Sequence, residues 1–258
     1  TWKKGGLFNA NFGQTTLSNW AAGGDKFQLN ASGFLNLFAF YTKDRHSWDN
    51  SFDMALGVVK TTSLGDRKSD DRLEFLTKYG YKIAPKWYLS GLVNFRTQMA
   101  PGFNYPKPDS SVKISQFLSP AYLIVSAGFD FKPNKDFSLF ISPLASRWVI
   151  VNATGLAQPG IKGGVFGVPL NKSVNNEIGA YLSANYLKDI VKNVTYKGKL
   201  DLYSNYKRNP QNIDVFMTHL LSANIFKGIS ANIGLDIIYD DDVRVLGDDN
   251  ASRRTQFR

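Results

Sequence analysis

Long stretches of strict polar–apolar alternation constrain this chain more than any other feature. In residues 26–42 every odd position from Phe27 to Tyr41 is apolar or glycine, whereas the even positions begin with Gln28 and Asn30. Successive side chains of a β-strand point to opposite faces, so a period of two predicts a strand with one continuous apolar face. About eight apolar positions in a row exceed the ~5–6 residues of an ordinary soluble strand.

The same alternation recurs along the whole chain. It occupies residues 7–16, 26–42, 48–58, 72–83, 87–99, 115–131, 137–151, 177–187, 194–206, 213–226 and 229–240. Apolar residues in these windows do not recur at helical spacing, which argues against amphipathic helices. A soluble antiparallel sheet also alternates, but with shorter strands. We therefore expect an all-β fold, an antiparallel up-and-down transmembrane β-barrel of about twelve strands that forms one domain over residues 1–258.

The connections between these segments alternate in length. Short connections lie at 43–47, 84–86, 132–136, 188–193 and 227–228, and long ones at about 17–25, 60–70, 100–113, 152–176 and 241–254, with 208–213 as an exception. Bacterial outer-membrane barrels have short periplasmic turns and longer extracellular loops. The pattern predicts a location in the cell outer membrane, with both termini in the periplasm if the strand number is even.

Aromatic residues gather on the apolar face at the short-turn end of the strands. Aromatic rings favour the membrane–water interface because their bodies are apolar and their polar edges stay wet. Strand propensity alone would not collect them on one face at one end. The sequence therefore predicts a periplasmic aromatic girdle formed by Tyr41, Trp48, Tyr81, Trp87, Phe131, Phe137, Tyr186 and Tyr196.

The end of the chain leaves the predicted barrel incomplete. After the loop at 241–254 only four residues follow, Thr255 to Arg258. A barrel needs its last strand to pair with the first, because an open sheet edge is not tolerated in lipid. We expect the final strand to be incomplete in this chain.

Composition removes several classes of function. The chain has no cysteine and only two histidines, His46 and His219, which excludes thiolate chemistry and multi-histidine metal sites. The net charge of +10 suggests nucleic acid, but the basic residues are scattered rather than clustered, so we expect no nucleic-acid partner. Positive charge also suits a surface that faces anionic lipid headgroups.

Alternation also assigns charged residues to the lumen of the predicted barrel, with nearly balanced signs. Unpaired charge away from water is costly, so a balanced and bulky interior should pair its charges and fill itself. An anion channel would show one sign in excess. We expect a plugged structural barrel, with a narrow solute channel as the alternative. The predicted lumen charge network consists of Asp53, Arg72, Glu74, Lys78, Arg96, Asp130, Arg147, Glu177, Lys197, Lys199, Asp201 and Asp236.

Three other readings are weaker. Ser204 and His219 share lipid-facing parity on consecutive strands, which is the pairing that a lipase nucleophile needs, but that face supplies no third group to orient the imidazole. The acidic residues of 240–250 match no calcium-loop spacing. The glycine-rich stretch 155–169 lacks the ending of a phosphate loop, and we expect it to plug the lumen or to contact a partner.

Several local motifs carry a resemblance to a known family. They are Leu17–Gly24, His46–Asn50, Lys78–Lys82, Ala100–Pro106, Asn209–Val215 and Ile238–Asp242. With these motifs the chain resembles a Bacteroidota outer-membrane β-barrel family of unknown function. The resemblance implies an outer-membrane protein of a Gram-negative bacterium, and it carries over no catalytic residues.

Taken together, these features predict a non-enzymatic outer-membrane barrel without catalytic residues, metal or cofactor. We expect it to be a structural or accessory subunit of a cell-envelope complex. Its partners would be outer-membrane lipid, lipopolysaccharide and other outer-membrane or periplasmic proteins.

Overall fold

The regular elements of this computed structural model are all β-strands. It describes residues 1–19, 24–107, 110–152, 156, 166–169, 171–226, 229–239 and 255–257. These described residues contain fourteen strands: β1 (Trp2–Thr16), β2 (Phe27–Lys43), β3 (His46–Thr61), β4 (Gly65–Ala84), β5 (Trp87–Thr97), β6 (Gly102–Lys107), β7 (Ser110–Ser115), β8 (Ala121–Phe131), β9 (Phe137–Ile150), β10 (Val174–Val191), β11 (Val194–Asn205), β12 (Ile213–Phe226), β13 (Ile229–Tyr239) and β14 (Thr255–Phe257). Within the described ranges, the chain contains no helix of the length and apolarity that crossing a membrane requires.

Twelve of these strands form one antiparallel up-and-down sheet. Their order is the order of the chain, β1 to β5 followed by β8 to β14, and β6 and β7 form a separate hairpin between β5 and β8. The eleven strands predicted from the alternation are confirmed. Each strand pairs with its neighbour in sequence, which is the arrangement that the short connections favour.

Two predicted connections are wrong. The loop expected at 60–70 is a turn of three residues, because β4 begins at Gly65 and continues the hairpin with β3. Its first residues are polar on both faces, so they carry no alternation, yet their backbones pair with β3, and Asp66 also forms an ion pair with Lys60. The connection expected at 100–113 runs from 98 to 120, since the β6–β7 hairpin lies within it, and residues 116–120 form a turn before β8 begins at Ala121 rather than at residue 115.

The two ends of the sheet differ in their connections. At one end, called the short-turn end here, β2–β3, β4–β5 and β10–β11 are each joined by two residues. Asp44, Lys86 and Asn193 in these turns have positive φ, as tight hairpins require. The opposite, long-loop end carries the β6–β7 hairpin and the connection between β9 and β10.

The sheet curls so that distant strands face each other. Lys199 of β11 forms an ion pair with Glu74 of β4, although four strands of the sheet lie between them. The buried apolar cluster lies on the same side and contains Leu92, Phe140, Ala145, Tyr181 and Tyr203. The curled sheet thus encloses an interior.

The hydrogen-bonded sheet is not closed. In the described part of the chain, β1 pairs only with β2, and β14 pairs only with β13. The three residues of β14 cannot cover the fifteen residues of β1. The antiparallel up-and-down sheet of about twelve strands agrees with the prediction, whereas barrel closure stays a prediction.

Candidate functional site

Neighbouring side chains on one strand lie in opposite environments. Glu74 is 7% exposed while Phe75 is 39% exposed, and Asp130 is 1% exposed while Phe129 is 43% exposed. We call the enclosed side with Glu74 and Asp130 the inner face, and the side with Phe75 and Phe129 the outer face. A water-soluble sheet has the reverse arrangement, with apolar residues buried and charges exposed.

Four charged side chains meet in the middle of the inner face. The Nζ atom of Lys199 lies 3.1 Å from Oε1 of Glu74 and 3.2 Å from Oδ2 of Asp201. The Nη2 atom of Arg96 lies 3.6 Å from Glu74 and 3.9 Å from Asp201. This central network joins β4, β5 and β11, and its two cations face two carboxylates, so its charge is balanced.

A second cluster lies nearer the short-turn end. Lys78 of β4 is 2.8 Å from Asp130 of β8. Lys132, in the turn after β8, is 2.8 Å from Asp49 of β3 and 3.4 Å from Asp130. Burial by itself would lower the pKa of Lys132, but the carboxylates of Asp49 and Asp130 outweigh it and raise that pKa. This second cluster ties β3, β4 and β8 together.

A third group lies towards the long-loop end. Arg147 of β9 lies 2.6 Å from Oε2 of Glu177 on the neighbouring strand β10 and 2.6 Å from Oδ2 of Asp214 on β12. Its guanidinium also stacks on Tyr203, with 4.2 Å between Cζ and the ring centroid. A buried guanidinium flanked by two carboxylates is well satisfied.

Four predicted members do not join these ion-pair groups. Asp53 accepts a hydrogen bond from Asn36 on the adjacent strand. Lys197 is exposed, and Arg72 and Asp236 line a cavity instead. Alternation assigns a side chain to a face but not to a depth, which is why it grouped these four with the paired residues.

Sequence reasoning missed several residues of the network. Asn94 donates a hydrogen bond to Glu74, and the hydroxyl of Tyr181 donates one to Asp201. Asp49 and Lys132 complete the second cluster. The parity of Asp49, Asn94 and Tyr181 already places them on the inner face, whereas Lys132 lies in a turn, where alternation gives no signal.

The inner face also contains a cavity of about 500 Å³. Its walls come from β4, β5 and β8 to β13, mostly from their long-loop ends, so it lies between the central network and the long loops. Its charged lining residues are Asp71, Arg72, Arg96, Arg147, Asp201, Asp214 and Asp236, and its aromatic ones are Tyr122, Phe166, Tyr181, Tyr203, Phe216 and Tyr239.

The predicted girdle residues lie beside one another on neighbouring strands. Tyr41 pairs in register with Trp48, Trp87 with Phe131, and Phe137 with Tyr186. The ring centroids of Trp87 and Phe131 are 4.7 Å apart, and those of Tyr186 and Tyr196 are 5.9 Å apart. Tyr81 packs against His46, which is the first residue of β3 and not the turn residue that the sequence suggested. Trp2 of β1, not anticipated from the sequence, extends the row by packing against Tyr41 and Trp48.

The Ser204 and His219 pair is not brought together. Ser204 pairs with Ile213, whereas His219 pairs with Gly198, six residues further along β11. At ~3.3 Å per strand residue this separates the two by roughly 20 Å. Instead, Ser204 donates a hydrogen bond to the carbonyl of Pro210, and the ring of His219 stacks on Tyr196. Ser204 and His219 therefore do not form the pair that a lipase nucleophile needs.

Among the residues that the structure describes, no three His, Asp or Glu side chains are grouped to hold a metal ion. The acidic stretch 240–250 lies outside those residues, as does most of the glycine-rich stretch 155–169.

Comparison with known families gives one match. Residues 12–103, which include the last five residues of β1, all of β2 to β5 and the beginning of β6, match a family described as "Protein of unknown function (DUF3078)". No curated protein matches the chain. The matched family has no stated function, so the outer-membrane and Bacteroidota parts of the resemblance stay predictions.

Proposed function

We propose that this protein is a non-enzymatic β-barrel of the bacterial outer membrane, with both termini in the periplasm. In this proposal the outer face contacts lipid, and the ion pairs of the inner face keep the interior from conducting. The protein would serve as a structural or accessory subunit of a cell-envelope complex.

One observation carries the membrane part of the proposal, the inverted polarity of the sheet. On β4 and β8, charged residues are buried inside, while their apolar neighbours lie exposed on the outside. Exposed apolar surface of this extent is unfavourable in water by about 25 cal/mol per Å² and marks a lipid or protein contact. Lipid around the outer face would remove that penalty along every strand.

The aromatic row supports the same placement. Trp48, Tyr81 and Trp87 are exposed on the outer face at the short-turn end, where a barrel of this type meets the periplasmic interface. In this orientation the long loops and the β6–β7 hairpin lie on the extracellular side of the membrane. Phe103 of that hairpin and Phe117 beside it are exposed and supply an apolar contact for a partner protein.

A tryptophan experiment tests the contact with lipid. Trp87 and Tyr88 are adjacent and lie on opposite faces, so a variant whose only tryptophan is Trp87 has a matched control in which Trp87→Phe is combined with Tyr88→Trp. In vesicles with brominated acyl chains, we expect strong fluorescence quenching of the first and weak quenching of the second. Equal quenching of the two would refute the lipid-facing assignment.

A conductance experiment distinguishes a barrel with a filled, non-conducting interior from a narrow solute channel, which is the second candidate. The cavity of about 500 Å³ is the observation that favours a channel. We expect a silent planar bilayer after insertion, because Lys199 and Glu74 bridge the interior. Ohmic single-channel steps would favour the channel instead, with a known porin in the same bilayer as the positive control.

The accessory role is tested by purification from native membranes in mild detergent. We expect stable co-purifying envelope proteins, identified by mass spectrometry. Recovery of the chain alone, across several detergents, would contradict this part of the proposal and leave the membrane assignment unaffected.

A further inference from the structure

The described residues leave the Nε atom of Arg72 without a hydrogen-bond partner. Arg72 lines the cavity at the long-loop end, and this Nε atom is buried. Arg147, in the wall of the same cavity, is bound by Glu177 and Asp214. A buried N–H donor that stays unpaired is costly, and a ligand in the cavity could satisfy the Nε–H of Arg72 together with the other donors of the guanidinium.

Arg96 provides a second donor group in the same wall. Its contacts with Glu74 and Asp201 are 3.6 and 3.9 Å long, beyond hydrogen-bond distance, and its Nε atom is also buried without a partner among the described residues. Its guanidinium stacks on Phe216 with 4.2 Å between Cζ and the ring centroid. Stacking orients the guanidinium plane without using its N–H groups.

The register places these two arginines beside each other. Glu74 of β4 pairs with Arg96 of β5, and Arg72 lies two residues from Glu74 on the same face. Diagonal neighbours of this kind have Cα atoms about 7–8 Å apart, so two guanidiniums can grip one anionic group between them.

The other lining groups define the rest of the ligand. The carboxylates of Asp201 and Asp214 are engaged by Lys199 and Arg147. Asp236 of β13 also lines the cavity, and its carboxylate can accept a hydrogen bond from a hydroxyl group of a ligand. A cavity of about 500 Å³ with aromatic walls fits a small organic molecule.

We propose that this cavity binds a small hydroxylated organic anion of the acidic-sugar type, whose carboxylate or phosphate is held by Arg72 and Arg96. The site goes beyond the function proposed above. Binding to purified protein and conductance of a bilayer are separate measurements, so either proposal can fail alone.

The test is isothermal titration calorimetry on the full chain, folded in detergent micelles, at constant ionic strength. The probes are glucuronate, glucose 6-phosphate and neutral glucose. We expect saturable binding of at least one anionic sugar, and at least about tenfold weaker binding of glucose, since hydrogen bonds to a charged group are the strong ones. The anionic sugar that binds tells whether the site prefers carboxylate or phosphate.

Variants locate the site. Arg72→Gln should weaken binding of the anionic sugar at least about tenfold, and Arg72→Lys should give an intermediate loss because lysine keeps the charge without the planar fork. Lys197→Gln removes an equal charge from an exposed position and should leave binding unchanged. Arg72 forms no ion pair with the residues that the structure describes, and folding of each variant is checked by heat-modifiable electrophoretic mobility.

Three results would overturn the proposal. The first is the absence of saturable binding of both anionic sugars at about 10 mM, well above the Kd range of specific sites. The second is binding that Arg72→Gln and Arg72→Lys leave unchanged. The third is an equal loss for Lys197→Gln and Arg72→Gln, which would identify general charge attraction.

Discussion

Lys199 of β11 reaches Glu74 of β4 across the inner face of the sheet, with 3.1 Å between Nζ and Oε1 and 125 residues between them in the chain. This contact exists only because the sheet curls, so it links the packing of the interior to the overall shape. Asp201 and Arg96 complete a balanced set around it.

We expect Lys199→Gln to destabilise the fold by roughly 3 kcal/mol, because Arg96, at longer distances, is then the one cation of the central network left to the two buried carboxylates. Lys197→Gln is the matched control, since Lys197 lies two residues away on the same strand and is exposed. Its effect should stay within about 0.5 kcal/mol. Urea unfolding in vesicles, followed by tryptophan fluorescence, measures both, and equal effects would show that the bridge contributes nothing specific.

Lys132 should make the stability depend on alkaline pH. Asp49 and Asp130 raise its pKa in the folded protein, above the ~10.4 of an unfolded lysine. A raised pKa stabilises the fold fully below the unfolded value, and the contribution is lost as the pH rises through the folded value.

Lys132→Arg tests this effect, because arginine stays protonated across the range. We expect the variant and the native chain to unfold at similar urea concentrations at pH 8, and the variant to be the more stable above about pH 11. If both lose stability in parallel over this range, the charge of Lys132 is not responsible.

Gly128 should not tolerate a side chain. It lies at a bulge between β8 and β9, where a Cβ atom would collide with the backbone carbonyl of Ile141. We expect Gly128→Ala to cost roughly 1–3 kcal/mol of stability. A Cβ atom on Gly33 of β2 would lie in open space, so Gly33→Ala should be neutral or stabilising by up to about 1 kcal/mol. Urea unfolding compares the two, and similar midpoints would contradict the predicted clash.

Ser204→Ala should leave any phospholipid hydrolysis by the purified chain unchanged. Ser204 is bonded to the carbonyl of Pro210, and His219 lies six residues further along the strand pairing. The measurement is fatty-acid release from phospholipid vesicles, with native chain and variant at equal concentration. A loss of activity in the variant would mean that Ser204 takes part in catalysis after all.

Most of the strands could be predicted from the sequence, because the two faces of these strands differ in polarity. Strands whose faces do not differ in polarity could not be predicted in this way. Where one face of a strand is apolar and the other polar, the period of two is visible, as between Phe27 and Tyr41. The first residues of β4 and the β6–β7 hairpin are held by backbone pairing between residues of mixed polarity, so no alternation marks them. The sequence predicted a short connection around Asp44, but it did not give the exact length of the turn. The register of β2 and β3 shows that this turn has two residues.

The charged site was predicted only in part. Parity assigned Glu74, Lys199 and Arg72 to one face, but it treated them alike. The structure pairs the first two and leaves Arg72 lining a cavity. Which charges meet depends on the level of each side chain and on the strand that faces it across the interior.

By itself, the sequence determined that the chain forms long antiparallel strands with one charged and one apolar face, because alternation is a local property of neighbouring residues. Only the tertiary structure decided that Lys199 meets Glu74 and that Ser204 does not meet His219. Contacts between distant strands depend on register and curl, which arise from the pairing of the whole sheet and leave no mark in any single segment.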